Sequence, residues 1–389
     1  MKRIWIQLFH IYQPPFQTKE TVDKVAKESY ELLASLHERY PNLRSTWNIS
    51  GSLLELLERY GHAPLIERIA ALAEKGQIEI TGSGTYHPII PLISEEAATR
   101  QIHLHEQLLE KYLRIKKSSL KTFYFPEMAW SPDAGRLVAS LGYTQTVLDE
   151  SHHPEPKHYS SATVYPDMSG MQALLRISSF SRTFPPEHFF KQTGELPRTL
   201  VVAHDGELYG HWHANDYGFY EKLFTSPDME FMTVSQYIHA QSVAVKPEKI
   251  ELLKGSWETK PEERANYIPF GLWDNPTNKL HQALWESQRK CESILSTNTS
   301  DLNYEKALMI FDKGCTSCTW WWASNIRIGP FAYLTWNPTD IVRGATFLAE
   351  SIRTLHSAAK ADRESVEAWY RTFTEKVWSE NWKNIEHTS

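Results

Sequence analysis

The chain has 389 residues, with 41 Lys and Arg against 47 Asp and Glu, a formal net charge of -6 and a pI near 6.3. That balance supplies no positive field for a phosphate backbone, so nucleic acid is excluded as the expected main partner. No stretch approaches the roughly 20 apolar residues of a membrane span, and no membrane partner is expected.

The chain begins with Lys2 and Arg3 before an apolar run that is too short for a signal peptide and lacks a small-residue cleavage site. Three cysteines, an odd number, do not make a disulfide framework and point to a reducing cytoplasm. Strand-like apolar runs are predicted at Ile4 to Phe9, Ser45 to Ile49, Gln77 to Thr81, Thr122 to Phe125, Thr144 to Leu148, Ala173 to Ile177, Thr199 to Ala203 and Glu230 to Thr233. Between them lie helical patterns, among them Thr21 to Arg39, Leu53 to Tyr60, Pro64 to Glu74 and Glu95 to Tyr112, which implies parallel strands with crossover helices. Ser131-Pro132-Asp133 reads as a helix start, with Ser as N-cap and Pro at the first helical position. The Pro- and His-rich loop from Glu150 to Gly170 is either a lid or a surface excursion. From about Asn278 the patterns are helical: Lys279 to Leu295, Tyr304 to Asp312, Asp340 to Ala358 and Arg363 to Trp378. The expected division is an α/β barrel over residues 1–270 and a helical region over 271–389 packed on it.

Polar chemistry is placed where strands stop. The run Leu200 to Ala203 ends in His204-Asp205-Gly206-Glu207, and the short aromatic run at 123–125 ends in Pro126-Glu127. Active groups of α/β barrels sit at such strand ends. Two carboxylates from two strands are what glycosidic bond cleavage needs, one to attack or support the sugar carbon and one to protonate the leaving oxygen. Glu207, two residues past Asp205, is a rival for the acid role, although Gly206 is expected to break the strand between them. Strand one ends in His10-Ile11-Tyr12-Gln13-Pro14, whose imidazole and carboxamide can hydrogen-bond sugar hydroxyls. The run at 76–88 ends in glycines and His87-Pro88, and glycines there permit close approach of a ligand or of another backbone. The 14 Trp and 18 Tyr suit stacking on pyranose rings, although most belong to a core. Arg176 is a candidate to fix a carboxylate's charge, against the plainer reading of a surface Arg.

Together these stretches resemble glycoside hydrolase family 57, a family of retaining α-glucan-active enzymes. His10-Ile-Tyr-Gln-Pro14 is similar to its first motif, Gly76 to Pro88 to its second, Phe125-Pro-Glu127-Met-Ala to its third, and His204-Asp205-Gly-Glu-Leu-Tyr-Gly-His211-Trp212 to its fourth. The resemblance continues less distinctly through Gly255-Ser-Trp257 and Thr316 to Asn325. It implies a distorted (β/α)7 barrel, Glu127 as nucleophile, Asp205 as general acid/base, and His10, His87 and Trp212 at the sugar. Gln13, Trp130, Glu207, Tyr209, His211 and Trp257 are expected to bind substrate beside them. The implied substrate is an α-1,4-linked glucan or maltooligosaccharide, cut or transferred, with no cofactor. Tyr12 departs from the motif, which more typically has a second His there.

Two other readings stand beside this one. His10, His87 and Asp205 could hold a metal, as in a metal-dependent polysaccharide deacetylase; or the chain could bind glucan without catalysis. Cys315-x-x-Cys318 has only Cys291 to complete it and reads as small buried thiols, so no metal is expected there.

Overall fold

The computed structural model of the protein describes residues 2–183, 196–213, 218–241, 248–328 and 334–386. The chain divides into two compact units, one made of Met1–Thr85 and Ile90–Trp257, the other of Tyr86–Ile89 and Glu258–Ser389. The boundary expected at residue 270 falls inside the second unit.

The first unit is an α/β fold built on nine strands among its described residues: β1 (Arg3–Ile11), β2 (Ser45–Ile49), β3 (Ile78–Ile80), β4 (Thr122–Phe123), β5 (Gln145–Asp149), β6 (Tyr165–Pro166), β7 (Gln172–Arg176), β8 (Thr199–Asp205) and β9 (Met229–Met232). All eight predicted runs contain a strand, and β6 is an addition that pairs antiparallel with β7. β1 is the hub, and every residue from Trp5 to Ile11 is buried. It has three parallel partners. β8 pairs with it over Ile4–His10, while β9 pairs over Arg3–Ile6 and β2 over Leu8–Ile11. A strand has two edges, so β9 and β2 share one and β8 takes the other.

A second sheet has the order β4-β5-β7-β6. The two sheets are tied at both ends. Gly82, just past β3, donates its N–H to Thr122 O at 2.9 Å and accepts from Tyr124 N–H at 2.9 Å. Ile177, just past β7, donates its N–H to Val201 O of β8 at 2.9 Å. Backbone hydrogen bonds thus run through seven strands, β1, β2, β3, β4, β5, β7 and β8, and return to β1. Only glycine fits at 82, because a Cβ there would lie 2.1 Å from the Tyr143 hydroxyl oxygen.

The crossover helices include α1 (Lys19–Val25), α2 (Glu31–Arg39), α3 (Gly51–Arg59), α4 (Ala63–Glu74), α5 (Glu95–Leu113), α6 (Pro132–Ser140) and α7 (Ser178–Arg182). The pattern predicted one helix over 21–39; the structure interrupts it with a π-helical turn, Ala26–Tyr30. Capping follows the sequence, since Ser131 Oγ accepts from Ala134 N–H at 3.2 Å at the start of α6. The loop after β5 is folded into two 3-10 turns and β6. Asp167 Oδ1 accepts from Leu252 N–H at 3.0 Å, and Leu253 N–H donates to His152 O at 2.8 Å, which ties this loop to the segment before Gly255.

The second unit is helical, with Lys279–Ser296, Tyr304–Gly314, Ser317–Ala323, Pro338–Thr354 and Lys360–Glu386. Its core gathers Ile294, Leu295, Phe311, Leu348 and Ile352 with Cys291 and Cys315. The cysteines remain thiols, and burial pushes that of Cys291 up to about 12. No helix of the described residues is long and apolar enough to cross a membrane.

Candidate active site

The carboxylates at positions 127 and 205 each reach the surface between two buried neighbours. Glu127 is half-buried between the buried Pro126 and Met128, and Asp205 is half-buried between the buried His204 and Gly206. For Glu127 the cause is local. Pro126 keeps Phe125 extended (φ -72°, ψ 120°), and Glu127 then turns into the left-handed region at φ 60°, ψ 18°, followed by Met128 at φ 48°. Each such non-glycine conformation costs about 1–3 kcal/mol and persists only where the surroundings hold it. Gly255–Trp257 does the holding. Trp130 and Gly255 exchange backbone hydrogen bonds of 2.7 and 3.1 Å, and Trp257 N–H donates to Glu127 O at 3.2 Å. The Trp257 indole Nε1–H donates to Glu127 Oε2 at 2.8 Å.

Asp205 closes β8, and Gly206–Leu208 forms a 3-10 turn directly after it, so the strand does not run on to Glu207. In the β1–β8 register Asp205 lies opposite His10. His10 is buried and its pKa falls to about 4, because burial disfavours the imidazolium more than Asn48 supports it. Its Nδ1–H donates to Asn48 Oδ1 at 2.8 Å, which makes Nε2 of the neutral ring an acceptor. The ring stacks on Tyr124 (4.8 Å between centroids, 20°) and meets Trp257 edge-on at 6.1 Å.

Tyr124 reports that the two carboxylates share one neighbourhood. Burial raises its pKa well above the usual phenol value, and the charges of Glu127 and Asp205 both add to that. Its ring is fully buried and its hydroxyl has no hydrogen-bond partner among the described residues. Sequence reasoning passed over this residue, although it stands three positions before Glu127. The signal would have been a hydroxyl in an otherwise aromatic strand end.

Arg176 is not a surface residue. It is buried, and its charge is matched to Asp149 (Nε to Oδ2 2.8 Å) and to the Ala203 carbonyl (2.7 Å) rather than to either candidate catalytic carboxylate. Burial alone would raise Asp149, but the Arg176 charge and the hydrogen bonds from Ser178 and Arg176 bring it down to about 2. The guanidinium also lies 4.7 Å from the Trp257 ring centroid, so Arg176 supports the residue that holds Glu127.

The other expected residues separate into groups. Trp257 and His211 are half-buried and Trp212 is 59 % exposed, so these have surface for a ligand. Trp130 and Tyr209, also expected to bind substrate, are both 0 % exposed. Trp130 packs edge-on to Phe125 at 5.1 Å, and the Tyr209 hydroxyl is 3.2 Å from His204 Nε2, so both brace the stretches from behind. Gln13 and Glu207 are buried against each other (Nε2 to Oε1 3.4 Å), with Tyr30 OH donating to the same carboxyl oxygen. His87 belongs to the second unit, where it takes a left-handed φ of 60° and its Nδ1 lies 2.7 Å from Ser317 Oγ. Among the described residues no group of three or more His, Cys, Asp or Glu is placed to hold a metal ion.

Two carboxylates at the ends of separate strands are the kind of pair that glycosidic bond cleavage uses. The chain belongs to glycosyl hydrolase family 57, whose sequence model matches residues 9–254. It is 23 % identical over 252 residues to the α-amylase of Pyrococcus horikoshii, and 24 % identical over 263 residues to the 4-α-glucanotransferase of Thermococcus litoralis. These alignments cover 59 % and 61 % of the chain and 39 % of each relative, so the chain spans about two fifths of the length of those relatives. Among solved structures, the GH57 branching enzyme of Thermococcus kodakaraensis superposes with a TM-score of 0.70 at 14 % identity, covering 96 % of this chain and 95 % of that one. At such identity the likeness is one of fold.

Proposed function

We propose that the chain is a retaining enzyme acting on α-1,4-linked glucans, with Glu127 as nucleophile and Asp205 as general acid/base. The observation that carries the proposal is the meeting of the two strand ends around His10: it pairs with Asp205 across β1 and β8, stacks on Tyr124, and lies edge-on to Trp257, whose indole holds Glu127. Family membership and the amylase and glucanotransferase names of its relatives support the substrate class.

In this reading Glu127 attacks the anomeric carbon while Asp205 gives its proton to the departing glycosidic oxygen, leaving a glycosyl ester on Glu127. Asp205 then takes a proton from the incoming water or sugar hydroxyl, and the ester is released with retained configuration. The Trp257 indole N–H favours the ionised form of Glu127 and aims it. Neutral His10 adds no charge beside Asp205. Whether water or sugar receives the glycosyl group decides between hydrolysis and transfer. Incubation with maltoheptaose separates them: glucose and maltose alone mean hydrolysis, and products longer than the substrate mean transfer. Glu127→Gln removes the nucleophile and is expected to lower turnover by about 1000-fold or more, on the scale of lost nucleophiles elsewhere. Unchanged turnover in that variant overturns the assignment.

A further inference from the structure

The π-helical turn between α1 and α2 meets the acid/base stretch with three consecutive residues. Glu28 Oε2 is 2.6 Å from His211 Nδ1, Ser29 Oγ–H donates to Gly206 O at 2.9 Å, and Tyr30 OH donates to Glu207 Oε1. Successive residues of an α-helix point about 100° apart, so three in a row do not ordinarily serve one neighbour. The wider turn, closed by Glu31 N–H to Ala26 O, lets them do so. π-Helical turns are rare and concentrate at functional sites. The backbones are also in close contact, because a Cβ on Gly210 (φ +88°) would lie 2.0 Å from Glu28 O.

We infer that this turn is a seat for the segment carrying Asp205, and that Tyr30 and Glu207 are positioning residues that hold Asp205 for proton transfer. The inference rests on the proposed role of Asp205. Of the six residues that follow the strand, Gly206, Glu207, Gly210 and His211 are all pinned against Glu28–Tyr30. Asp205 is thereby held from β8 on one side and from the π turn on the other.

The groups facing Glu207 are Asp205 from β8, Tyr30 from the π turn, and Gln13 from the segment after β1, which is itself held by Gln17 Nε2 at 3.0 Å. Burial, with the Asp205 charge second, raises Glu207 to about 8, against the hydrogen bonds from Tyr30, its own backbone N–H and Gln13. Glu207 is therefore neutral at pH 7. Ionisation of Glu207 places a buried charge beside Asp205, which alters the proton affinity of Asp205 and so sets the alkaline limb.

The test uses the full chain and the near-isosteric variants Tyr30→Phe and Glu207→Gln. Two measurements are made: the carbon-13 titration of glutamate carboxyls by NMR, and kcat and KM on maltoheptaose from pH 5 to 9.5. The expected result is one glutamate carboxyl titrating near 8, absent in Glu207→Gln. Loss of the Tyr30 hydrogen bond, which favours the ionised form, moves it upward in Tyr30→Phe. In Tyr30→Phe, kcat falls about 10-fold with KM changed less than about 2-fold, and the alkaline limb moves up with the carboxyl, as for an interaction felt mainly in the transition state. A Tyr30→Phe enzyme with unchanged kcat and limb overturns the inference, as does a Glu207 that titrates in the ordinary carboxylate range. If the unaltered chain does not turn over maltoheptaose, the glucan reading fails, and the NMR titration alone still decides whether Tyr30 and Glu207 are coupled.

Discussion

Trp257 grips Glu127 twice, through its indole Nε1–H on the carboxylate (2.8 Å) and through its backbone N–H on the carbonyl (3.2 Å). The first grip sets the direction of the carboxylate, and the second fixes a residue whose backbone is in the left-handed region at φ 60°. Since Arg176 lies over the same indole, one ring couples the buried Arg176–Asp149 pair to the candidate nucleophile.

Trp257→Phe separates these contributions. The backbone grip and a ring beneath Arg176 remain, and only the indole donor is lost. A hydrogen bond to a charged group contributes about 1.5–3 kcal/mol, so kcat on maltoheptaose is expected to fall about 10- to 150-fold. Steady-state kinetics check this; a fall under 2-fold means the indole does not aim Glu127.

Tyr124→Phe acts oppositely on stability and on catalysis. Its buried hydroxyl has no partner among the described residues, so its removal is expected to stabilise the fold by about 1 kcal/mol, read as a rise in Tm. If that hydroxyl serves the reaction between Glu127 and Asp205, the same variant loses kcat. A lower Tm shows that the hydroxyl is satisfied in solution.

Stability is expected to fall in two steps on acidification. His10, His37, His105, His204 and His281 are each lowered by burial from 6.5 to about 4. The unfolded chain takes up these protons first, so stability present above pH 6.5 is lost between 6.5 and about 4. Asp149 is held at about 2 against an ordinary 3.8, so its contribution is present above 3.8 and lost as pH falls through about 2. Asp149→Asn removes the second step and leaves Arg176 buried without its counter-charge, at a cost of about 3–5 kcal/mol. Denaturant midpoints measured from pH 8 to 2 check both steps, and a flat profile between 6.5 and 4 contradicts the first.

Much of this protein was legible in its residues. The predicted runs located eight of the nine strands among the described residues because a strand buried on both faces must be continuously apolar, and polar residues then mark its end. That is how Glu127 and Asp205 stood out, and how the helix cap at Ser131 could be read from three letters.

What pattern does not carry is which side chains meet across the fold. Trp130, Tyr209 and Trp212 are all aromatic residues in the same motifs, yet only Trp212 is exposed, since exposure depends on neighbours distant in the chain. Asp149 and Arg176 become partners only because β5 and β7 pair in register. The π turn at Ala26–Tyr30 keeps a helical apolar stripe and so is invisible to periodicity. Its consequence, the meeting of Tyr30 with Glu207 across 177 residues, exists only in the folded chain. The sequence by itself determined the strand ends and the two carboxylates, because burial dictates composition locally. Tertiary structure decided what holds those carboxylates in place, because hydrogen bonds and charge pairing depend on distance in space.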